Sequence, residues 1–372
     1  MTESKLHELW LNSISGIGGA TCKLLISHLG SAEAVFKAND STLLKINGIG
    51  EITAKSIVAS RQKINVAEKE LEKVIKSNAR VLTYLDEEFP RRLKLQKDAP
   101  YLIYVKGKAT GLNTQKNIAI VGSRNASDYG THITQKIIER VSHLKEINII
   151  SGLAYGIDIA AHKAALKNNI GTVGVMANGL NLVYPSIHKN TAHQMLADNQ
   201  SGLITENPMD AQPDGPKFPA RNRIIAALAD AIIVVQAKKK GGALITADIG
   251  NSYHKDVFAV PGLITDPLAE GCNNLIKHHR ATLFSNVEDF IKTMNWDTST
   301  PNPSKQMHLF QPQNLDPLEE KVTASIKAAP LHIEEISIQS QIPLTKLAST
   351  LLQLELKGVI KMKPGNIYTL NT

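Results

Sequence analysis

Between Asn117 and Phe284 the chain alternates short apolar, β-branched runs with stretches of helical pattern: IAIV, INIIS, GTVGVMA, GLITE, DAIIVVQA, DVFAVPG and ATLF. Runs that are apolar throughout belong to strands buried on both faces, and helices between successive strands supply the crossovers that parallel pairing requires. The expectation for residues 66–295 is therefore an α/β domain with an extended Rossmann-like, doubly wound, mostly parallel sheet. Ligands of such sheets bind outside the carboxyl ends of the strands.

The run Asn117 to Arg124, NIAIVGSR, passes through Gly122-Ser123-Arg124 into a helix-like segment from Tyr129. A buried strand emptying into a glycine turn before a helix is a usual anion site, since backbone N–H groups and the helix dipole face the ligand. After Gly122 the chain reads Ser-Arg-Asn-Ala-Ser, without the second glycine of G-x-G-x-x-G. A turn that replaces that glycine with bulk and a fixed charge suits a phosphate rather than a dinucleotide.

The 372 residues carry 42 Lys+Arg against 34 Asp+Glu, a net charge of +8 with pI near 9.2. This balance favours a polyanionic partner. Cys22 and Cys272 stand far apart, which excludes a disulfide framework and a C-x-x-C metal pair. The sequence MTESKLHELWLNS lacks the pattern of a signal peptide, and no apolar run reaches the roughly 18 residues of a membrane span. The expectation is a cytoplasmic protein with no membrane contact.

Residues 1–65 read as a helical helix-hairpin-helix or SAM-like domain. Ile14-Ser-Gly-Ile-Gly-Gly19 precedes the helical pattern Thr21 to Leu29, and Ile46-Asn-Gly-Ile-Gly-Glu51 precedes Thr53 to Arg61. In such turns the glycines permit tight backbone geometry, either as plain connectors or to grip a DNA phosphate. A connecting segment from Val81 ends in the strand-like YLIYVKG, and residues 296–314 form a Pro-, Ser-, Asn- and Gln-rich linker. Residues 315–372 follow the order helix, helix, helix, hairpin of a winged-helix domain, with Pro364-Gly365-Asn366 as the wing turn. Its presumed recognition helix offers only Lys346 as a cation. Duplex binding needs several phosphate contacts, so a structural or protein-contact role fits better.

Distinctive segments gather at the expected carboxyl edge of the sheet. They include Gly122-Ser-Arg124, Ser151-Gly-Leu-Ala-Tyr-Gly-Ile-Asp158, Asn178-Gly-Leu180 with Tyr184-Pro185, Lys217-Phe-Pro-Ala-Arg-Asn-Arg-Ile-Ile225, Gly241-Gly-Ala-Leu-Ile-Thr246 and Gly271-Cys-Asn-Asn-Leu-Ile276. With YLIYVKG and AVPG, their order and spacing over residues 80 to 285 resemble the DNA-processing protein DprA (Smf) family. The resemblance implies a non-enzymatic cytoplasmic protein that binds single-stranded DNA, forms a homodimer and loads RecA recombinase during natural transformation. It implies no cofactor and no small-molecule substrate.

The residues themselves agree with a strand-binding groove. The candidate phosphate ligands are Gly122, Ser123, Arg124, Gly152, Lys217, Arg221, Arg223, Lys240 and Gly241, and Phe218 is the candidate base platform. Cations around an aromatic ring supply charge for the backbone and a face for an unstacked base. Phe218 has the alternative of plugging the core. Of the two arginines, Arg223 lies beside the buried face of its helix in Asn222-Arg223-Ile-Ile-Ala and has the more structural setting. Asp158, Glu206 and Asp248 are expected to cap helices or order basic side chains.

Two features depart from the family pattern. Lys240-Gly-Gly-Ala stands where a Ser-Gly-Ser-like form is usual, and Gly250-Asn-Ser-Tyr-His-Lys-Asp256 replaces a Gly-Arg step, leaving Lys255 as the cation at that turn. A nucleotide-processing enzyme or nucleotide sensor with a lysine-decarboxylase-like fold is the alternative. Against it, no glutamate follows Gly241-Gly242 in the place required by PGG-x-GT-x-x-E, there is no P-loop, and His162, His188 and His254 are scattered. No catalytic residue and no metal ligand are expected.

Overall fold

The structure, a computed structural model, describes residues 2–296, 315–327, 330–363 and 367–370. Most of the expected linker (297–314) and the wing turn at Pro364 to Asn366 lie outside the described residues. Residues up to Asp297 form one compact unit and those from Thr298 a second.

The first unit opens with six helices: α1 Thr2–Ser13, α2 Gly19–Leu29, α3 Ala32–Lys37, α4 Asp40–Leu44, α5 Glu51–Ser60 and α6 Ile64–Lys76. The two glycine turns repeat in backbone geometry. Gly16 and Gly48 have φ of +82° and +95°, while Gly18 and Gly50 enter α2 and α5 at φ/ψ of −90°/175° and −89°/172°. Their surroundings differ. A Cβ at Gly19 would lie 2.8 Å from Ala99 O, and Lys23 Nζ donates to the same carbonyl, so the first hairpin is seated on the following segment. In the second hairpin the place of Gly19 is taken by Glu51, which is exposed, as is Ile52. Trp10, Leu25 and Ile57 share one core with Tyr101 and Tyr104, which ties the helices to the sheet.

The sheet elements follow in order. They are β1 Ala79–Thr83, α7 Arg91–Lys94, β2 Leu102–Gly107, β3 Lys116–Val121, α8 Asp128–Val141, β4 Ile147–Ser151, α9 Ile157–Lys167, β5 Gly171–Val175, α10 Lys189–Ala197 and β6 Gly202–Thr205. Then come α11 Lys217–Leu228, β7 Ala231–Val234, α12 Gly242–Ser252, β8 Asp256–Ala259, α13 Glu270–Lys277, β9 Thr282–Leu283 and α14 Val287–Thr293. Among the described residues they build a nine-stranded sheet in the order β1-β2-β6-β5-β4-β3-β7-β8-β9. Every pair from β6 to β9 is parallel, and β1-β2 and β2-β6 are antiparallel. Strand β3 starts the winding: β4, β5 and β6 extend to one side, and β7, β8 and β9 to the other. The topological switch, where ligands bind in doubly wound sheets, therefore lies between the carboxyl ends of β3 and β7. No helix among the described residues is long and apolar enough to cross a membrane.

The second unit contains α15 Pro317–Ile326, β10 Leu331–His332, α16 Ile333–Ser340, α17 Leu344–Leu356, β11 Ile360–Lys363 and β12 Ile367–Leu370. Its sheet runs β10-β12-β11 over a core of Val322, Ile336, Leu347, Leu354 and Tyr368. Asp316 and Glu319 form a capping box at α15, and the buried Glu319 carboxylate receives Lys357 Nζ at 2.5 and 2.6 Å. Helix α17 exposes Lys346 beside Leu344, Leu352 and Leu356.

His162, on α9, is fully buried. Thr172 Oγ1 donates to Ile149 O at 2.9 Å, so the bond of 2.8 Å between Thr172 Oγ1 and His162 Nδ1 requires the imidazole to donate, which places a proton on Nδ1. Its Nε2 has no partner. Burial, with the Arg221 and His188 charges adding, pushes the ring's pKa from 6.5 down to about 3. The unfolded chain takes up this proton near pH 6.5 and the folded chain does not, so stability present above that pH is lost as pH falls. The slope is at most about 1.4 kcal/mol per pH unit for one such group. Urea midpoints measured from pH 7 to 5 are expected to fall for the native protein, with His162→Gln showing a flatter profile. Equal slopes for the two proteins would contradict this assignment.

Candidate nucleic-acid interface

Strand β3 ends at Val121 and turns at Gly122, where a Cβ would lie 2.5 Å from the Ile157 side chain and 3.1 Å from Gln236 O. Glycine is needed because α9 packs directly against the turn. The turn is closed by its own bonds. Ser123 N–H donates to Gln236 O at 2.8 Å, Asn125 N–H to Ser123 Oγ at 3.1 Å, and Ser123 O accepts from Ile157 N–H at 3.2 Å. Helix α8 is likewise capped: Ser127 Oγ accepts from Gly130 N–H, and Ser127 N–H donates to Gln236 Oε1. The Ser123 and Asn125 N–H groups are thus spent inside the turn, while Gly122, Ser123 and Arg124 border the cleft described below. What the turn delivers outward is the exposed Arg124.

Helix α12 also begins at this edge. It starts after Gly241 without a side-chain cap, and its first N–H groups are among those that no helix satisfies internally. Gly241, Gly242 and Ala243 line a cleft of about 710 Å³ together with Gly122, Ser123, Arg124, Asp158, Phe218, Arg221, Asn222, Lys238 and Lys240. A narrower recess adjoins it past Arg124 and Phe218, bounded by Gly152, Tyr155, Asn178 and Tyr184.

Arg221 forms the floor of both and is only 5% exposed. Its Nη1 donates to Gly152 O at 2.7 Å and to Val175 O, and its Nε to Asn222 Oδ1 at 3.2 Å. Its Nη2 has no hydrogen-bond partner among the described residues and is not sealed from solvent. The nearby Asp158 carboxylate accepts Gly152 N–H at 3.2 Å; burial pushes its pKa up, and the Arg221 charge opposes that shift. Burial lowers the Arg221 pKa to about 10, with Asp158 countering and Arg124 reinforcing the shift, so the group stays charged at neutral pH. Arg124 and Arg221 thus bring like charges to one cleft, and the acid beneath them is engaged by the fold.

Phe218 is half-buried and belongs to the cleft wall rather than the core. The Arg124 guanidinium lies over its ring, 5.1 Å from the centroid, and Tyr184 leans on it at 5.8 Å and 49°. The arrangement offers an aromatic step flanked by a stacked cation.

Two expected ligands stand apart from the cleft lining. Lys217 Nζ donates to Gln212 O at 2.9 Å, and Arg223 pairs with Glu206 and donates to Asp98 O at 2.7 Å. Arg221, read as the freer of the two arginines, is the buried one. It shares the i, i+3, i+4, i+7 face of α11 with Ile224, Ile225 and Leu228, a spacing visible in the sequence. Of the three consecutive lysines, Lys238 and Lys240 border the cleft while Lys239 pairs with Glu270 at 3.6 Å. Lys255 precedes β8 at the amino edge of the sheet, near Asp230, and serves no cleft contact. The bracing role of Asn222, which bonds Arg221 and donates to Gly242 O at 3.3 Å, and the stacking of Tyr184 were not foreseen. An aromatic before proline in a strand-end turn was the available signal for Tyr184.

Gly156 has φ of +72°, and a Cβ there would lie 2.1 Å from Ser123 O. Gly156→Ala is expected to cost more than about 2 kcal/mol, combining left-handed strain with overpacking against backbone. Urea unfolding measures it, and a change below about 0.5 kcal/mol would contradict the close approach.

The family model for DNA recombination-mediator protein A matches residues 80–295, that for a SAM-like helix-hairpin-helix tandem residues 9–63, and that for the DprA winged helix residues 310–366. Protein Smf of Escherichia coli is 32% identical over 289 residues, covering 77% of this chain and 76% of its own. Protein Smf of Synechocystis is 29% identical over 96% of this chain and 97% of its own. The crystal structure of DNA processing protein A from Streptococcus pneumoniae aligns with TM-score 0.65 and 31% identity, covering 78% of this chain and 98% of that one. A structure of the Helicobacter pylori protein, described for its single-stranded DNA binding mode, aligns with TM-score 0.53 and 29% identity over 59% of this chain and 96% of that one.

The three matched modules in this order, with a cationic cleft at the switch of the central sheet, define a DNA recombination mediator. The chain belongs to the DNA-processing protein DprA (Smf) family.

Proposed function

We propose that the cleft at the β3–β7 switch binds single-stranded DNA and that the protein acts on DNA without catalysing a reaction. The observation that carries this is the pairing of Arg124 with Arg221 across one cleft, beside Lys238 and Lys240 and an accessible Phe218–Tyr184 step. Like charges gathered at a half-closed site repel unless an anion comes between them. A phosphate on the unpartnered Arg221 Nη2 and Arg124, near the uncapped end of α12, relieves that repulsion, while the ring faces take an unstacked base. Charge and ring faces together fit a single strand bound with little sequence preference. Family membership supports the further steps, in which a homodimer protects incoming DNA during natural transformation and loads RecA recombinase onto it.

Fluorescence anisotropy with a labelled oligothymidine tests the strand reading. Log affinity is expected to fall by about 0.7 per neutralised phosphate for each log unit of salt. Arg124→Ala should weaken binding by about 1–2 kcal/mol and lower the slope by one contact's share. Blunt duplex bound as tightly as the single strand, or a folded Arg124→Ala protein binding like the native one, would overturn the assignment.

A further inference from the structure

Away from the cleft, the helical layer carries a second basic groove. It runs between α9 and α10, has a volume of about 440 Å³, and is lined by Lys163, Leu166, Lys167, Asn190, Thr191 and Gln194. No acidic residue lines it, and neither lysine forms an ion pair among the described residues. The groove on the other side of α9 shares both lysines but also contains Glu139, which pairs with Lys136 at 2.9 Å and is stabilised as an anion by Lys136 and Lys167.

The two sites are joined by the geometry of α9. Tyr155, half-exposed at the mouth of the recess beside Phe218, packs edge-on against His188 with ring centroids 5.2 Å apart, and His188 immediately precedes α10. Both helices of the groove therefore start at the cleft's exit. From Ile159 the positions Lys163 and Lys167 follow at intervals of four along α9. At 1.5 Å per residue the two cations lie about 9 and about 15 Å beyond the helix start at Ile157.

Resting on the strand-binding reading of the cleft, we propose that a single DNA strand leaves the cleft over Tyr155 and continues along the α9–α10 groove, its phosphates on Lys163 and Lys167. The amides of Asn190 and Gln194 offer donors and acceptors, and Leu166 an apolar surface for a base. Binding is then bipartite: a short strand is held by the cleft alone, and a longer one gains a second segment. Such a track is sequence-tolerant, because charge and apolar contact carry it.

The test compares the full-length native protein with the double variant Lys163→Gln, Lys167→Gln, using oligothymidines of about 6 and about 25 nucleotides, lengths that bracket common strand-site sizes. The variant should bind the short strand as the native protein does and the long strand roughly 5- to 10-fold more weakly at low salt. Its slope of log affinity on log salt for the long strand should be smaller by about 1.4, two phosphates' share. Lys163→Arg, Lys167→Arg should restore native behaviour, which excludes a folding defect as the cause. Equal affinities and slopes for variant and native protein on the long strand would overturn the track, as would an equal loss on both strands. Failure of the native protein to bind either strand would instead overturn the cleft reading itself.

Discussion

One buried guanidinium holds the candidate site together. Arg221 links Gly152 O and Val175 O, at the carboxyl ends of β4 and β5, to the first turns of α11. A charge removed from water is costly unless its surroundings compensate it, and here two carbonyls, Asn222 and the nearby Asp158 carboxylate do so. The position of the rest of the cleft follows. Once Arg221 is seated, α11 presents Phe218 beneath Arg124, and Asn222 fastens the entry of α12 through Gly242 O. Gly152 has to be glycine for the same reason, because a Cβ there would lie 2.6 Å from the guanidinium.

Two further residues secure α11 from its outer side. Arg223 reaches Glu206 and Asp98 O, and the Tyr253 hydroxyl donates to the Asp98 carboxylate at 2.6 Å. The next residue, Ala99, receives Lys23 from the helical hairpin block. A surface cluster of arginines, lysines and acids read along the sequence thus divides into two populations. One set is neutralised within the fold and stiffens it. The other, Arg124, Lys238 and Lys240 with one edge of Arg221, lines the cleft without an ion pair among the described residues. A preorganised cationic cleft loses little freedom when an anion enters, which favours binding by charge and stacking.

Much of this architecture was legible in the residues. The seven parallel strands fall on the seven apolar β-branched runs, because strands buried on both faces can hold little else, although the two-residue edge strand β9 is itself exposed. The glycine turns at Gly16 and Gly48 were readable from spacing, and their matching backbone angles follow from conformations that glycine adopts without strain. The edge strand Ala79–Thr83 was missed. It is short, follows directly on α6, and buries only its last three residues, so it leaves no alternation to detect. The site was legible as a set of segments, although the roles within it were not. Arg221 and Arg223 are two residues apart on one helix: Arg223 has the structural setting expected of it, held by Glu206 and Asp98, whereas the burial of Arg221 rests on Gly152 O and Val175 O, which arrive from distant parts of the chain.

Taken alone, the amino-acid sequence determined the sheet type, the three modules, the excess of positive charge and the edge of the sheet where the distinctive segments gather. These are properties of local pattern and composition, and they survive without coordinates. Only the tertiary structure decided which donors remain free. The Gly122–Arg124 turn, which has the pattern of an N–H cradle, spends the Ser123 and Asn125 N–H groups on Gln236 and on itself. The start of α12, after a strand more than a hundred residues later, has no side-chain cap. Hydrogen-bond satisfaction is a pairing problem among groups brought together by the winding of the sheet, so no local motif can settle it.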